Sequence, residues 1–295
     1  MEDLDLLAES CRRYEVAPLD YETDTDAQAR WLTFGGKLQL WRAANQVGKS
    51  RAQAKKALHM IRRTGPFADR PPGPVRILVI SISKEQMEPL HAKFWELLPK
   101  DEVDPSVNFR PGFGFVGKPA RVVFDRGPGA GSLIMFATYS QGANRIEGGT
   151  WDVIILDEPP PEEMWSAVTS RLLHGRPGEL WITFTATPQS PDLTYLRQKV
   201  DAGEVREMQT SLSVDAVTRT DGVRLLSQKK VDAFVAACLP IERDMRVHGG
   251  WDIVQTERYL PGWGSHCIED TPPPPGATLC VGLDHGTGAG KQAAA

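Results

Sequence analysis

The stretch Ala43-Ala-Asn-Gln-Val-Gly-Lys-Ser50 decides how the rest of this 295-residue sequence is read. It fits the phosphate-loop pattern G-x-x-x-x-G-K-[ST], with Ala43 in place of the first glycine. Before it, Leu38, Leu40 and Trp41 read as a strand. After it, Ala54, Leu58 and Ile61 recur at helical spacing, with Arg51, Lys55 and Arg62 on another face. A loop between a strand and a helix N-terminus is a place where backbone N–H groups and the positive helix end can cradle phosphates. The candidate nucleotide contacts are therefore Ala44, Asn45, Gln46, Val47, Gly48, Lys49, Ser50 and the flanking Arg51 and Arg42. Lys49 would reach the β/γ-phosphates of ATP and Ser50 would ligate Mg2+. The competing reading is a glycine turn with an incidental Lys-Ser.

Working outward, the run Arg76 to Ser83 is almost continuously apolar, as in a strand buried on both faces, and implies a parallel sheet. Trp151 to Leu156 and Leu180 to Thr185 are of the same kind, joined by a helix from Glu162 to Leu173. Arg121 to Phe124 and Ser132 to Phe136 flank a Gly/Pro turn and read as an antiparallel pair. A second pair of chemically active residues lies at the end of the Trp151 strand, where Asp157 and Glu158 follow Val153-Ile-Ile-Leu156. Open α/β sheets bind ligands at the carboxyl ends of their strands. There Asp157 would hold the metal's shell and Glu158 would polarise an attacking water. A turn or a helix cap is the plainer explanation of such a pair taken alone. The next strand ends in Thr185-Ala-Thr-Pro188, whose hydroxyls would lie beside the phosphates, with Thr185 and Thr187 sensing the γ-phosphate. The alternative there is a hydroxyl-stabilised turn.

Composition limits the partners. Apolar residues are 41% and charged residues 24%, so the chain can bury a core. The net charge of −4 means that nucleic-acid attraction must be local. No apolar run approaches the ~20 residues of a membrane span, so no membrane partner is expected. The first ten residues carry four acids and no base, the opposite of a secretory signal. The four cysteines are widely spaced and read as unpaired thiols. His266, Cys267, Cys280 and His285 offer zinc-type ligands, but without a C-x-x-C pair, and are read as unmetallated.

Domain boundaries follow the pattern. Residues 1–204 read as the ATPase core, with docking helices within 1–35 whose apolar positions are Leu4, Leu7, Cys11 and Tyr14, then Ala27, Trp31 and Phe34. Residues 205–270 read as a smaller subdomain containing a helix from Ser227 to Leu239. Thr271-Pro-Pro-Pro-Pro-Gly276 is a stiff hinge, and a new strand begins near Thr278. The basic pairs Lys55-Lys56, Arg62-Arg63 and Lys229-Lys230, with Arg70, are weak candidates for DNA contact, because helix charges usually form a solvated face.

The motifs Ala44 to Ser50, Leu-Asp-Glu-Pro (156 to 159) and Thr-Ala-Thr-Pro (185 to 188), in that order, resemble those of the large terminase subunits of tailed double-stranded DNA bacteriophages. That resemblance implies an α/β P-loop NTPase of the additional-strand type, with a mainly parallel central sheet flanked by helices and a small lid or linker subdomain. It implies an ATP- and Mg2+-dependent motor that drives double-stranded DNA into a procapsid, in the host cytoplasm. Its partners would be the portal and procapsid, the small terminase subunit and further copies of itself in a ring. It also implies that Arg145, in Gly142-Ala-Asn-Arg-Ile-Glu-Gly-Gly149, is an arginine supplied across a ring interface. Asn45 stands where some members carry an arginine within the loop, which leaves Arg42 as the other candidate cation. Val281-Gly-Leu-Asp-His-Gly286 resembles the first strand of an RNase H-like nuclease, with Asp284 as its first metal carboxylate. Residues 277–295 would hold only the start of that domain, so no nuclease activity is expected. Two alternatives remain: a helicase-like DNA-stimulated ATPase, and a nucleotide-dependent assembly switch without productive turnover.

Overall fold

The computed structural model describes residues 18–21, 23–141, 149–172, 178–187, 190, 192–251, 283–284 and 293–294. Two compact units are separated, 1–255 and 256–295. In the first, seven strands form one sheet: β1 (Leu38–Ala43), β2 (Arg76–Ser81), β5 (Arg121–Val123), β6 (Leu133–Thr138), β7 (Val153–Asp157), β8 (Glu179–Phe184) and β9 (Arg206–Thr210). A separate hairpin pairs β3 (Phe109–Arg110) with β4 (Gly114–Phe115). The sheet order is β5-β6-β2-β7-β8-β1-β9. All pairings are parallel except β5 with β6, which run antiparallel as the Gly/Pro turn between them predicts.

Alternation along the strands sends side chains to two apolar cores, one on each face. Trp41, Ile77, Val79, Ile155 and Trp181 join one; Leu40, Leu78, Ile80, Leu156 and Ile182 join the other. Burial on both faces explains the near-continuous apolar runs. After the short α1 (Pro18–Tyr21), the first face is covered by α2 (Asp26–Thr33), α3 (Lys49–Arg62) and α4 (Lys84–Leu97). The second is covered by α5 (Glu162–Ser170), α6 (Thr194–Asp201) and α8 (Pro240–His248), and α7 (Gln228–Ala237) precedes α8. A Thr25/Gln28 capping box starts α2.

The topology is the additional-strand arrangement: β8 lies between β1, which carries the phosphate loop, and β7, which carries the acids. Three local readings differ. The polar stretch after Val205, read as the start of the smaller subdomain, forms β9 of the central sheet, hydrogen-bonded to β1. Its side chains alternate between the two faces, so its polar outward residues hide its strand character. The strand from Arg76 stops at Ser81, because Ser83 caps α4 by accepting the Gln86 N–H. The basic residues of α3 are not a solvated face: α3 is packed by α2, α4 and the sheet, and Lys55 and Lys56 are buried within it. Lys55 pairs with Asp24 at 2.9 Å, Arg62 with Glu102 at 3.0 Å and Arg70 with Glu179 at 3.3 Å.

In the second unit, β10 (Leu283–Asp284) pairs antiparallel with β11 (Ala293–Ala294). The hinge 271–276, the docking residues 1–17 and three of the four cysteines lie outside the described residues. The fourth cysteine, Cys238, is a buried free thiol. No helix among the described residues is long and apolar enough to cross a membrane.

Candidate active site

The site grows from the end of β1. Ala43 still belongs to that strand and has ordinary backbone geometry, so the residue that replaces the motif's first glycine needs no glycine. The turn is made further on, at Gln46 (φ 63°) and Gly48 (φ 83°). Glycine is favoured at 48 by the left-handed backbone, and a Cβ there, 2.3 Å from Gln28 Nε2, would also push that side chain aside. Gln28 Nε2 donates to the Gly48 carbonyl at 3.4 Å, so the α2 capping residue also braces the loop.

Gly48 is the N-cap of α3 and has no side chain with which to cap it. The first amides of a helix have no carbonyl one turn back, so they point outward into the loop. The Ala44 and Asn45 amides are already used, donating to Thr210 O at 2.9 Å and Arg246 O at 3.1 Å. Lys49 folds back over the loop and donates to Ala44 O at 2.9 Å and to Thr185 Oγ1 at 2.5 Å. Thr185 in turn donates to Ala43 O at 2.8 Å. Thus the ends of β1 and β8 and the start of α3 are tied through one ammonium.

Ser50 faces the acids, donating to Asp157 Oδ1 at 3.3 Å. Asp157 is set by Thr183, whose hydroxyl reaches the same oxygen at 3.5 Å and is itself held by Gln53 Nε2 at 2.9 Å. Burial pushes the Asp157 carboxyl above its usual range, against the pull of Lys49 and the hydrogen bonds of Ser50 and Thr183. Glu158 is raised to about 8, first by burial and then by the Asp157 charge, with Lys49 and the Thr185 N–H opposing. Lys49 is lowered to about 8 by burial, although both acids favour its charged form. Two carboxyl groups share this buried space with one lysine, and a bound cation would favour the ionised form of both.

A hydroxyl and a carboxylate, both hard oxygen donors, fit Mg2+, which completes its shell with water and phosphate oxygens rather than an all-protein cage. Among the described residues there is no group of three or more His, Cys, Asp or Glu able to hold a metal.

The structure brings Lys49, Ser50, Asp157, Glu158 and Thr185 together. It turns other candidates elsewhere. Arg42 is buried at 4% exposure, bonded to Glu207 Oε1 (2.7 Å), Gln209 Oε1 (3.2 Å) and the Gly249 carbonyl, with its guanidinium over the Trp251 ring. Arg51 reaches Glu96 on α4 at 2.5 Å. Thr187 engages Ser190 through its N–H (2.9 Å) and its hydroxyl (3.2 Å), a local turn. Arg145 lies outside the described residues, as does the His266/Cys267/Cys280/His285 group; Asp284 is described only as part of β10. Sequence reasoning missed Gln53 and Thr183. Only the Thr25-x-x-Gln28 capping pattern could have pointed to Gln28.

No protein-family model matches the sequence, and no match emerges among curated proteins. Solved structures do match. The ATPase domain of the large terminase from Thermus phage P74-26 superposes with a TM-score of 0.56 at 16% identity, covering 80% of this chain and 96% of that one. The fold is similar to that of large-terminase ATPase domains. The large terminase of a thermophilic bacteriophage matches with a TM-score of 0.57 at 12% identity over 78% of this chain. Its ADP complex matches at 0.56, again at 12% identity, over 77% of this chain. This chain spans about half the length of that full terminase, 54% and 53% in the two comparisons.

Proposed function

We propose that this chain is the ATPase part of a phage large terminase, hydrolysing ATP to translocate double-stranded DNA into a procapsid. The observation that carries this reading is the meeting of Lys49, the Ser50–Asp157 pair and Glu158 where the phosphate loop and the acid strand end, with β8 between them. Likeness to terminase structures solved with ADP or ATP-γ-S supports the choice of nucleotide.

In this reading the outward amides of α3 and the Lys49 ammonium bind the β/γ-phosphates. Ser50 and Asp157 would hold Mg2+, which supplies positive charge where negative charge develops on the phosphoryl oxygens. Glu158 in its ionised form orients the attacking water and accepts its proton, and its raised pKa makes it the stronger proton acceptor. Thr185 touches both Lys49 and the root of the loop, and is placed to pass on the loss of the γ-phosphate. Arg145 is the proposed arginine from a neighbouring copy in a ring on the portal, and Asp284 the proposed first carboxylate of a nuclease. The small terminase subunit and the host cytoplasm complete this assignment.

The test is steady-state ATP turnover, with and without double-stranded DNA, for the native chain and Glu158→Gln. The substitution is expected to cut turnover by about 10²-fold or more, with DNA raising the native rate. Unchanged turnover in Glu158→Gln contradicts the site. Hydrolysis indifferent to DNA contradicts the motor. Turnover per chain should also rise with protein concentration and lose that rise in Arg145→Ala.

A further inference from the structure

Glu158 is one of three non-glycine residues with a positive φ among the described residues, at 85°. A left-handed backbone at a non-glycine residue is strained and persists only where surrounding bonds enforce it. Two backbone bonds do so here. The Glu158 N–H donates to Thr183 O at 2.9 Å. Its carbonyl accepts the hydroxyl of Tyr139 at 3.0 Å. The first comes from β8, which is hydrogen-bonded to β7 along its length. The second comes from elsewhere: Tyr139 follows β6, two strands away in the sheet.

Tyr139 is buried at 9% exposure, in the apolar cluster with Ile80, Leu156 and Ala186. Burial, then the neighbouring Tyr195 and after it Glu158 and Asp157, push its phenol well above the usual tyrosine range, so it stays a neutral O–H donor. A buried phenol with one hydrogen-bond outlet, aimed at the main chain of the strained residue, acts on that residue's orientation. We propose that Tyr139 is a positioning residue for hydrolysis: its hydroxyl holds the Glu158 main chain in the left-handed conformation that aims the carboxylate at the water. This rests on the assignment of Glu158 as the base.

The hydroxyl would bind no substrate, so its removal should act on the chemical step and leave nucleotide binding alone. Tyr139→Phe deletes one oxygen and keeps the ring in its cluster. The experiment measures kcat, KM for ATP and melting temperature for Tyr139→Phe, Glu158→Gln and Tyr195→Phe. The last is the stability control: the Tyr195 hydroxyl donates to Pro160 O at 2.6 Å, in the same turn two residues further on. The expected result is a fall in kcat of about tenfold for Tyr139→Phe, with KM within about twofold, and a smaller fall for Tyr195→Phe. An unchanged kcat in Tyr139→Phe overturns the proposal. So does a loss that Tyr195→Phe matches, or one that tracks melting temperature or moves KM equally. If Glu158→Gln keeps native turnover, the base assignment fails and this proposal falls with it. If Glu158→Gln is inactive while Tyr139→Phe is native-like, only the positioning role fails.

Discussion

Lys49 and Lys56 stand seven positions apart on α3, about two turns, and invite a direct comparison. Both are buried lysines lowered by desolvation, to about 8 and about 7, and both lie near acids on the sheet. Lys56 sits between the Trp31 and Trp181 rings, 4.2 and 4.7 Å from their centroids, and donates to Phe34 O and Gln39 Oε1 at 2.6 Å each. The acid beside it, Glu179, is already bonded to Gln39 and Trp181 and paired with Arg70. Charge and hydrogen bonds close within the fold, and nothing is left for a ligand to supply. At Lys49 one ammonium faces two carboxylates whose pKa values are both pushed up, beside a helix start that no side chain caps. A buried cation therefore marks a reactive site only where its surroundings leave charge unbalanced and donors unused.

The largest effects should separate the two lysines. Lys49→Ala should lower ATP turnover by about 10³-fold while costing less stability than Lys56→Ala, since relief of its desolvation offsets part of what its bonds to Ala44 and Thr185 and its pairing with the two acids contribute. Lys56→Ala should cost about 3–5 kcal/mol of stability, because it leaves Phe34 O and Gln39 Oε1 short of a donor and opens a gap between two tryptophans. The surviving folded fraction should still hydrolyse ATP. A stable, active Lys56→Ala protein would erase the contrast. Asp157→Asn should follow, with turnover reduced about 10²-fold and recovered in part by raised Mg2+; a magnesium response identical to that of the native chain would remove Asp157 from the metal site.

A smaller effect runs the other way at Glu158. Glu158→Gly should abolish turnover yet stabilise the fold by about 1 kcal/mol, since glycine adopts φ 85° freely and one crowded carboxyl is lost. Destabilisation would mean that the carboxylate's own bonds outweigh the strain.

The smallest effect concerns a buried base with no acid beside it. His91 accepts the Phe115 N–H at 3.2 Å, packs against Phe115 and Phe136, and is lowered by burial to about 4. The unfolded chain binds its proton near pH 6.5 and the folded one only near 4, so protonation favours unfolding. Its contribution is complete above pH 6.5 and is lost as the pH falls through 4, by up to about 3 kcal/mol. Thermal denaturation of His91→Gln should lack that acid-side loss, with turnover at neutral pH unaffected.

The sequence made the chemistry legible because phosphate loops, acid pairs and threonine strand ends are local. Lys49, Ser50, Asp157, Glu158 and Thr185 could be named from short windows, and their convergence follows from β1, β7 and β8 being neighbours. What stayed hidden was set by tertiary burial. Nothing local tells Lys55 and Lys56 from a solvated face, because α3 is enclosed by α2, α4 and the sheet. Strand β9 reads as polar because Arg206, Glu207 and Gln209 serve the edge of the sheet, with Glu207 and Gln209 holding Arg42. Helix α4 was masked by Pro89 within it. Tyr139 and Gln53 act across strands, so no spacing in the sequence could link them to Glu158 and Asp157.

Calorimetric titration of Mg·ATP-γ-S into the native chain, Lys49→Ala and Lys56→Ala tests most directly whether the lysine at the loop, and not its buried twin, is the phosphate ligand. The account predicts one site in the native chain, an affinity at least about 100-fold weaker in Lys49→Ala, and near-native affinity in folded Lys56→Ala. Equal affinity for the native chain and Lys49→Ala would contradict it.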